Sequence, residues 1–204
     1  MKNTFNKMLL ASSLAALMSL GVAHAQDAPR VGVRGAITAI DADAMHVKVN
    51  SGEDVTVHLT KDTLVRAVTL AKIEDIKPGS YIGSAAMPNA DGSLTALEVH
   101  VFPPAMAGTG DGHRAFDLKE GSSMTNGTVG DLVVSNGRTL TVKYKGGEQK
   151  IVVPDDVPIV NLEPGDRSLL KPGVKVVMFA AQAADGTITA QAISAGKDGV
   201  TPPM

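Results

Sequence analysis

The segment Ala90–Ala96 has the sequence ADGSLTA, and Ala184–Ala190 repeats it as ADGTITA, 94 residues further along the chain. The same spacing separates Ile76–Gly79 (IKPG) from Leu170–Gly173 (LKPG). Two motifs that recur in the same order at one spacing indicate an internal duplication. The chain is therefore interpreted as two copies of one module.

A third match extends the duplication toward the start of each copy, because RGAI at 34–37 corresponds to NGTV at 126–129. The spacing here is 92 residues, close to that of the other two matches. Together the matches predict five segments: a signal peptide at 1–25, a first module at 31–102, a linker at 103–123, a second module at 124–196 and a tail at 197–204.

Each copy has the pattern of short strands broken by turns. Apolar and polar residues alternate at 45–49 and again at 55–59, and a period of two predicts strands with one buried face. Asp91-Gly92 supplies the positive φ that a tight hairpin turn needs. Three strands, a short helix-like segment around 70–76 and two more strands follow the order of a small OB-type barrel. We therefore predict an all-β fold of two tandem OB-like modules, with an open sandwich as the alternative.

The alternation also predicts a register for the first hairpin, because residues that face one another must lie on the same side of the sheet. Val47 is placed opposite Val57, which leaves a three-residue loop at 51–53. In the second copy the same reasoning predicts a two-residue loop, Gly146-Gly147.

The first 25 residues have the three parts of a secretory signal: Lys2 and Lys7, an apolar run at 8–22, and Ala23-His24-Ala25 as a cleavage site. The run of about 15 residues is shorter than the roughly 20 that a membrane span needs, so a transmembrane anchor is the weaker alternative. We therefore expect a periplasmic or secreted protein that is not inserted in the membrane.

Composition narrows the classes of function. The 204 residues contain no Cys, which excludes disulfides and thiolate metal sites. Without the signal, 17 basic residues stand against 21 acidic ones, and with few aromatic residues this disfavours nucleic-acid binding.

The strings RGAITAI at 34–40, IKPG at 76–79 and DGSLTA at 91–96, together with GTGDGHR at 108–114, resemble an exported bacterial family of unknown function built from small OB-like β modules. The resemblance covers most of the chain after the signal. It implies a periplasmic, all-β protein, and it implies no catalytic residues.

The linker carries the first candidate site, His113, Arg114, Phe116 and Asp117. Phe116 is of the type that anchors a segment on a neighbouring module, which would leave the polar residues for a partner. The alternative is that Arg114 and Asp117 only fasten the linker to the modules. The partner on this interpretation is an unidentified envelope protein or a small ligand.

Histidines carry the second candidate site. The predicted register places His46 directly opposite His58, and two imidazoles about 5 Å apart could bind a divalent metal, with His100 as a third ligand. The alternative is that these are ordinary surface side chains. A divalent metal is the one cofactor that the sequence suggests.

The sequence contains none of the catalytic motifs that would indicate an enzyme. No Gly-x-Ser-x-Gly elbow surrounds Ser122 or Ser123, and acid pairs such as Asp155-Asp156 are explained by turns. We therefore predict a non-catalytic binding or structural adaptor protein of the cell envelope. The alternative is a metal-handling protein that uses the histidines of the first module.

Overall fold

The computed structural model describes residues 29–133 and 138–204, and there the chain is all-β, as the alternation predicts. The predicted signal peptide at 1–25 lies outside the described residues. Three short 3-10 turns occur among the strands, at Ile73–Asp75, Pro104–Met106 and Arg167–Leu169. In the described part of the chain, no helix has both the length and the apolar character to cross a membrane.

The described residues form fourteen strands. In chain order these are β1 (Arg30–Ile40), β2 (Ala44–Val49), β3 (Asp54–His58), β4 (Leu64–Leu70), β5 (Tyr81–Pro88), β6 (Leu94–Ala96), β7 (Val99–Val101), β8 (Gly112–Ala115), β9 (Ser123–Val133), β10 (Thr139–Tyr144), β11 (Gly147–Val152), β12 (Ile159–Pro164), β13 (Lys175–Gln182) and β14 (Ile188–Gly196).

The inward faces of the first hairpin follow the predicted alternation, since Met45, Val47 and Val57 are completely buried. The register differs from the prediction by two residues. Val47 pairs with Val55, not Val57, and His46 pairs with Thr56, not His58. A shift of two residues keeps every side chain on the same face of a strand, so the hydrophobic pattern cannot distinguish the two registers.

The second hairpin shows the same shift. Tyr144 pairs with Gly147, so the loop consists of Lys145 and Gly146 and not of the predicted Gly146-Gly147. Gly146 has φ of +108°, a backbone conformation that glycine adopts without strain.

Five strands close a first ring of hydrogen bonds. β1 pairs with β2, β2 with β3, β3 with β14, β14 with β13, and β13 again with β1. The β3–β14 pair is parallel and the others are antiparallel. The ring encloses a core to which β1 to β4 contribute Ile37 and Met45, among others, and to which the end of the chain contributes Met178 and Ile193.

A second ring repeats this pattern with the copies interchanged. β9 pairs with β10, β10 with β11, β11 with β6, β6 with β5, and β5 again with β9, and here the β11–β6 pair is parallel. Its core combines Ile82 and Val99 of the first copy with Leu140 and Ile151 of the second.

Each ring therefore takes three strands from one copy and two from the other. The sequence predicts a module within 31–102 and another within 124–196, whereas each buried core draws on both ranges. The repeat motifs correctly identify equivalent strands in the two copies, but they do not reveal in which ring each strand pairs. A ring built from one copy and a ring built from both copies bury the same residues on the same faces. The apolar periodicity of the sequence is therefore identical for the two arrangements.

A junction joins the two rings through β4 and β12, which pair antiparallel with each other. Val68 lies opposite Leu162, its own counterpart in the other copy. A third apolar cluster fills the junction, and it includes Tyr81, Phe102 and Met204. The predicted tail at 197–204 is thus packed against the rings, and the backbone oxygen of Met204 accepts a hydrogen bond from Nε of Arg34.

One glycine recurs at the same place in both rings. A Cβ at Gly35 would overlap the backbone carbonyl of Lys48 on β2, and a Cβ at Gly127 would overlap that of Lys143 on β10. The close approach of the neighbouring strand therefore explains why the third match of the repeat keeps its glycine.

Candidate functional site

A cavity of about 280 Å³ lies where the two rings and the segment 103–123 meet. β7 and β9 contribute His100 and Asn126 to its wall, and β13 and β14 contribute Val177 and Ser194, among others. Phe116 of the segment 103–123 closes part of it. Cavities between structural units are common places for ligands to bind, so this is the candidate functional site.

His100, in the wall of the cavity, forms a buried pair with Glu98. Nδ1 of His100 lies 3.0 Å from Oε2 of Glu98, and Glu98 is completely buried. Oε1 of Glu98 also accepts a 2.7 Å hydrogen bond from the backbone N–H of Ala85. The carboxylate therefore fixes the imidazole in one orientation, as second partners of functional histidines do.

Asn126 lies beside this imidazole. Its Nδ2 donates a 3.1 Å hydrogen bond to the backbone oxygen of Thr109, which fixes the orientation of the amide. Oδ1 is buried and has no hydrogen-bond partner in the described part of the chain. A Cβ on Gly83 would overlap both the His100 ring and Oδ1, so the glycine makes the space in which these two groups lie together.

Positive charge surrounds the same cavity. Arg30, Arg66 and Arg114 line it, and its described lining includes no Asp or Glu. Burial lowers the pKa of Arg66, and among described residues this guanidinium makes no ion pair. A half-buried cation without a counter-charge favours the binding of an anion.

The segment 103–123 is held against the first ring by an aromatic clamp. Asp117 accepts two hydrogen bonds from Arg34, at 2.7 and 3.1 Å. The same guanidinium lies 5.7 Å from the ring of Phe116 and 5.6 Å from that of Phe179. The clamp thus anchors Phe116, as the sequence suggests, but through Arg34, which sequence reasoning does not identify.

The clamp should open when Asp117 loses its charge. Hydrogen bonds from Arg34 lower the pKa of Asp117 from its usual value of 3.8, so the contribution of this pair to stability is present above that pH and is lost as the pH falls below it. Asp117→Asn at pH 7 should weaken the nuclear Overhauser effects between Phe116 and Phe179, and acid should do the same in the unchanged protein. Glu120→Gln, an exposed acid of the same segment, is the control. Equal effects in both variants would contradict the clamp.

The other two residues of the predicted partner site have local contacts. Nδ1 of His113 lies 2.8 Å from the hydroxyl of Thr125, and its ring is stacked on Tyr144. Arg114 donates to the backbone oxygen of Gly110 and also reaches the cavity. The four residues therefore do not form one cluster: Arg114 and Phe116 line the cavity, and His113 does not.

Tyr81 fastens the start of the same segment. Its hydroxyl donates to the backbone oxygen of Thr109 at 3.2 Å, near the carboxylate of Asp111. Burial, together with the charge of Asp111, raises the pKa of Tyr81 to about 12, so the phenol stays protonated as a donor.

The predicted metal ligands are not brought together. His46 lies opposite Thr56 and 3.1 Å from Asp41, while His58 lies opposite Ala44. His100 is on β7, which pairs with β5 and β12, and it is hydrogen-bonded to Glu98. Among the described residues no group of three His, Asp or Glu side chains is arranged to hold a metal ion.

Sequence reasoning misses Glu98 and Asn126, although the repeat contains a signal for the first. At the spacing of 94 residues, Glu98 and His100 correspond to Ala192 and Ser194. The same fold position is therefore occupied by small residues in the second copy, which indicates that the fold itself does not require a buried Glu–His pair.

Comparison with known proteins finds one similarity. Residues 34–100 match the family model of a domain of unknown function, DUF5666. The match covers about a third of the chain and includes Glu98 and His100. No curated protein and no solved structure is significantly similar to the chain. The first copy is thus similar to a domain family to which no activity is assigned.

Proposed function

We propose that this is a non-catalytic binding protein of the cell envelope and that its ligand occupies the cavity between the two rings. The observation that carries the proposal is the convergence of both rings and the segment 103–123 on one cavity with arginines around it. Ligand sites are typically such concave, mostly apolar spaces with a few placed polar groups.

The proposal includes export and a fold type. The signal-like segment at 1–25 favours a periplasmic or secreted location. The pairing order 1-2-3-5-4-1 of each ring agrees with a five-stranded OB-like barrel, in which the last two strands come from the other copy.

A binding role is favoured over a catalytic one by the surroundings of His100. A serine or threonine nucleophile needs a base within hydrogen-bond distance. Among described residues, no hydroxyl group makes a hydrogen bond with the ring of His100. The pair with Glu98 therefore has the geometry of a fixed binding group.

Filling the cavity should remove the ligand. Ala192 lines the cavity and is half-buried, so Ala192→Phe should occupy the space without a change of fold. Native mass spectrometry of protein incubated with a small-molecule extract of cells should show a bound small molecule on the unchanged protein and none on this variant. Ala39→Phe, on an exposed part of β1 away from the cavity, is the matched control.

Two results would contradict the proposal. If the unchanged protein carries no small molecule, or if Ala192→Phe retains it as Ala39→Phe does, the cavity is not the binding site. Circular dichroism of both variants establishes that each is folded.

A further inference from the structure

The cavity presents two side-chain atoms that accept hydrogen bonds and that have no partner among the described residues. One is Nε2 of His100. In the tautomer whose Nδ1–H donates a hydrogen bond to Glu98, Nε2 is an acceptor. The second is Oδ1 of Asn126, which is turned this way because Nδ2 is held by Thr109.

Both groups are deeply buried: His100 is 3% exposed and Asn126 is 5% exposed. They adjoin each other above Gly83. A buried acceptor without a donor is unfavourable. Oδ1 of Asn126 is such an atom, and Nε2 of His100 lies beside it. A ligand hydroxyl group has one hydrogen to donate, and placed here it would satisfy Oδ1 of Asn126.

The rest of the cavity has different chemistry. Phe102, Met124 and Leu162 make part of its wall apolar. Arg66 is half-buried in the lining, and Arg30 and Arg114 are exposed at it. A guanidinium binds a carboxylate through two parallel hydrogen bonds. The lining therefore combines a buried site for a donor, apolar side chains and three arginines.

We propose that the ligand is a small apolar carboxylic acid with a hydroxyl group at the end remote from the carboxylate. The hydroxyl donates to Oδ1 of Asn126, the apolar body contacts Phe102 and its neighbours, and the carboxylate pairs with Arg66. This inference rests on the proposed function, since it names the ligand class of the same cavity. At about 280 Å³ the space suits a single ring with short substituents.

The probe is 4-hydroxyphenylacetate, titrated into the full chain and followed by calorimetry and by NMR of the His100 ring. Phenylacetate lacks the hydroxyl, and 4-(2-hydroxyethyl)phenol lacks the carboxylate. Each should bind about tenfold more weakly, as expected when one buried hydrogen-bond or charged partner is lost. The probe should also change the ¹⁵N shift of Nε2 of His100.

Two variants test which side chain binds each end of the probe. Arg66→Gln should weaken the binding of 4-hydroxyphenylacetate and phenylacetate about tenfold and leave the affinity for 4-(2-hydroxyethyl)phenol unchanged. Lys61 is an exposed cation outside the lining, so Lys61→Gln should change none of these affinities. Asn126→Ala should remove the preference for the hydroxyl. If that variant does not fold, the comparison of probes on the unchanged protein still tests the inference.

The ligand class is overturned if phenylacetate binds as tightly as the probe, or if NMR shows both ring nitrogens of His100 protonated with Nε2 donating to Asn126. No binding of the probe also overturns it. If Ala192→Phe nevertheless removes a different bound molecule, the cavity remains the binding site and only the ligand class is wrong. If no molecule is found either, both proposals are wrong.

Discussion

Cutting the chain between Ala107 and Gly108 should leave two pieces that stay together as one folded particle of unchanged size. The first ring needs β1 to β3 from one piece and β13 and β14 from the other, and the second ring is divided in the same way. Six buried side chains of the second copy lie in the first core. Exposing them would cost on the order of 10 kcal/mol, and the second core would be lost as well.

The measurement uses a protease site inserted at this exposed turn, followed by size-exclusion chromatography with light scattering. Each piece refolded alone from urea is the control, and neither should recover the β-sheet signal that the mixture recovers. Separation into two folded particles of half the mass would show that each copy closes a ring by itself.

Removing Glu98 should destabilise the protein by about 3 kcal/mol, because breaking a buried pair leaves its partner and a backbone N–H without their hydrogen bonds. Glu98→Ala leaves Nδ1 of His100 and the amide of Ala85 unpaired. The free energy of unfolding, measured by urea denaturation, is the readout. Glu120→Ala, an exposed acid, should change it by less than about 0.5 kcal/mol.

The double variant Glu98→Ala, His100→Ser introduces the residues that the second copy has at these positions. We expect it to lose less stability than the sum of the two single variants, since the buried imidazole that Glu98→Ala leaves without its partner is then absent. The double variant should also lose binding of the cavity ligand. Additive losses of stability would show that the two side chains do not act as a pair.

The sequence predicts the strands well because burial acts on each residue separately. The alternation around Met45 and Leu140 identifies the inward faces, and the structure confirms them as buried. The register and the exchange of strands between copies cannot be predicted in this way. Pairing Val47 with Val55 in place of Val57, or placing β13 in the ring of the other copy, changes the neighbours of a residue but not the face on which it lies. A pattern of apolar residues carries no information about such choices.

The candidate site is predictable only in part, because contacts between distant parts of the chain leave no pattern in the sequence. Phe116 and Arg114 stand out in a polar segment, and both line the cavity. A shared metal-binding chemistry groups His100 with His46 and His58 in the sequence, whereas its actual partner is Glu98, two residues away in the chain. Asn126 gives no signal in sequence, since its importance comes from Thr109 and Gly83, which approach it only in the folded chain.

The exchange of strands also sets an order for folding during synthesis on the ribosome. The second ring is complete once the chain has emerged as far as Val152, because its strands lie between Tyr81 and that residue. The first ring must wait for β14, which begins at Ile188, more than 120 residues after β3 ends. Contacts so distant along the chain form slowly. Strands β1 to β3 can pair with one another early, but their core face stays uncovered for most of translation and is the part of the nascent protein that a chaperone would protect.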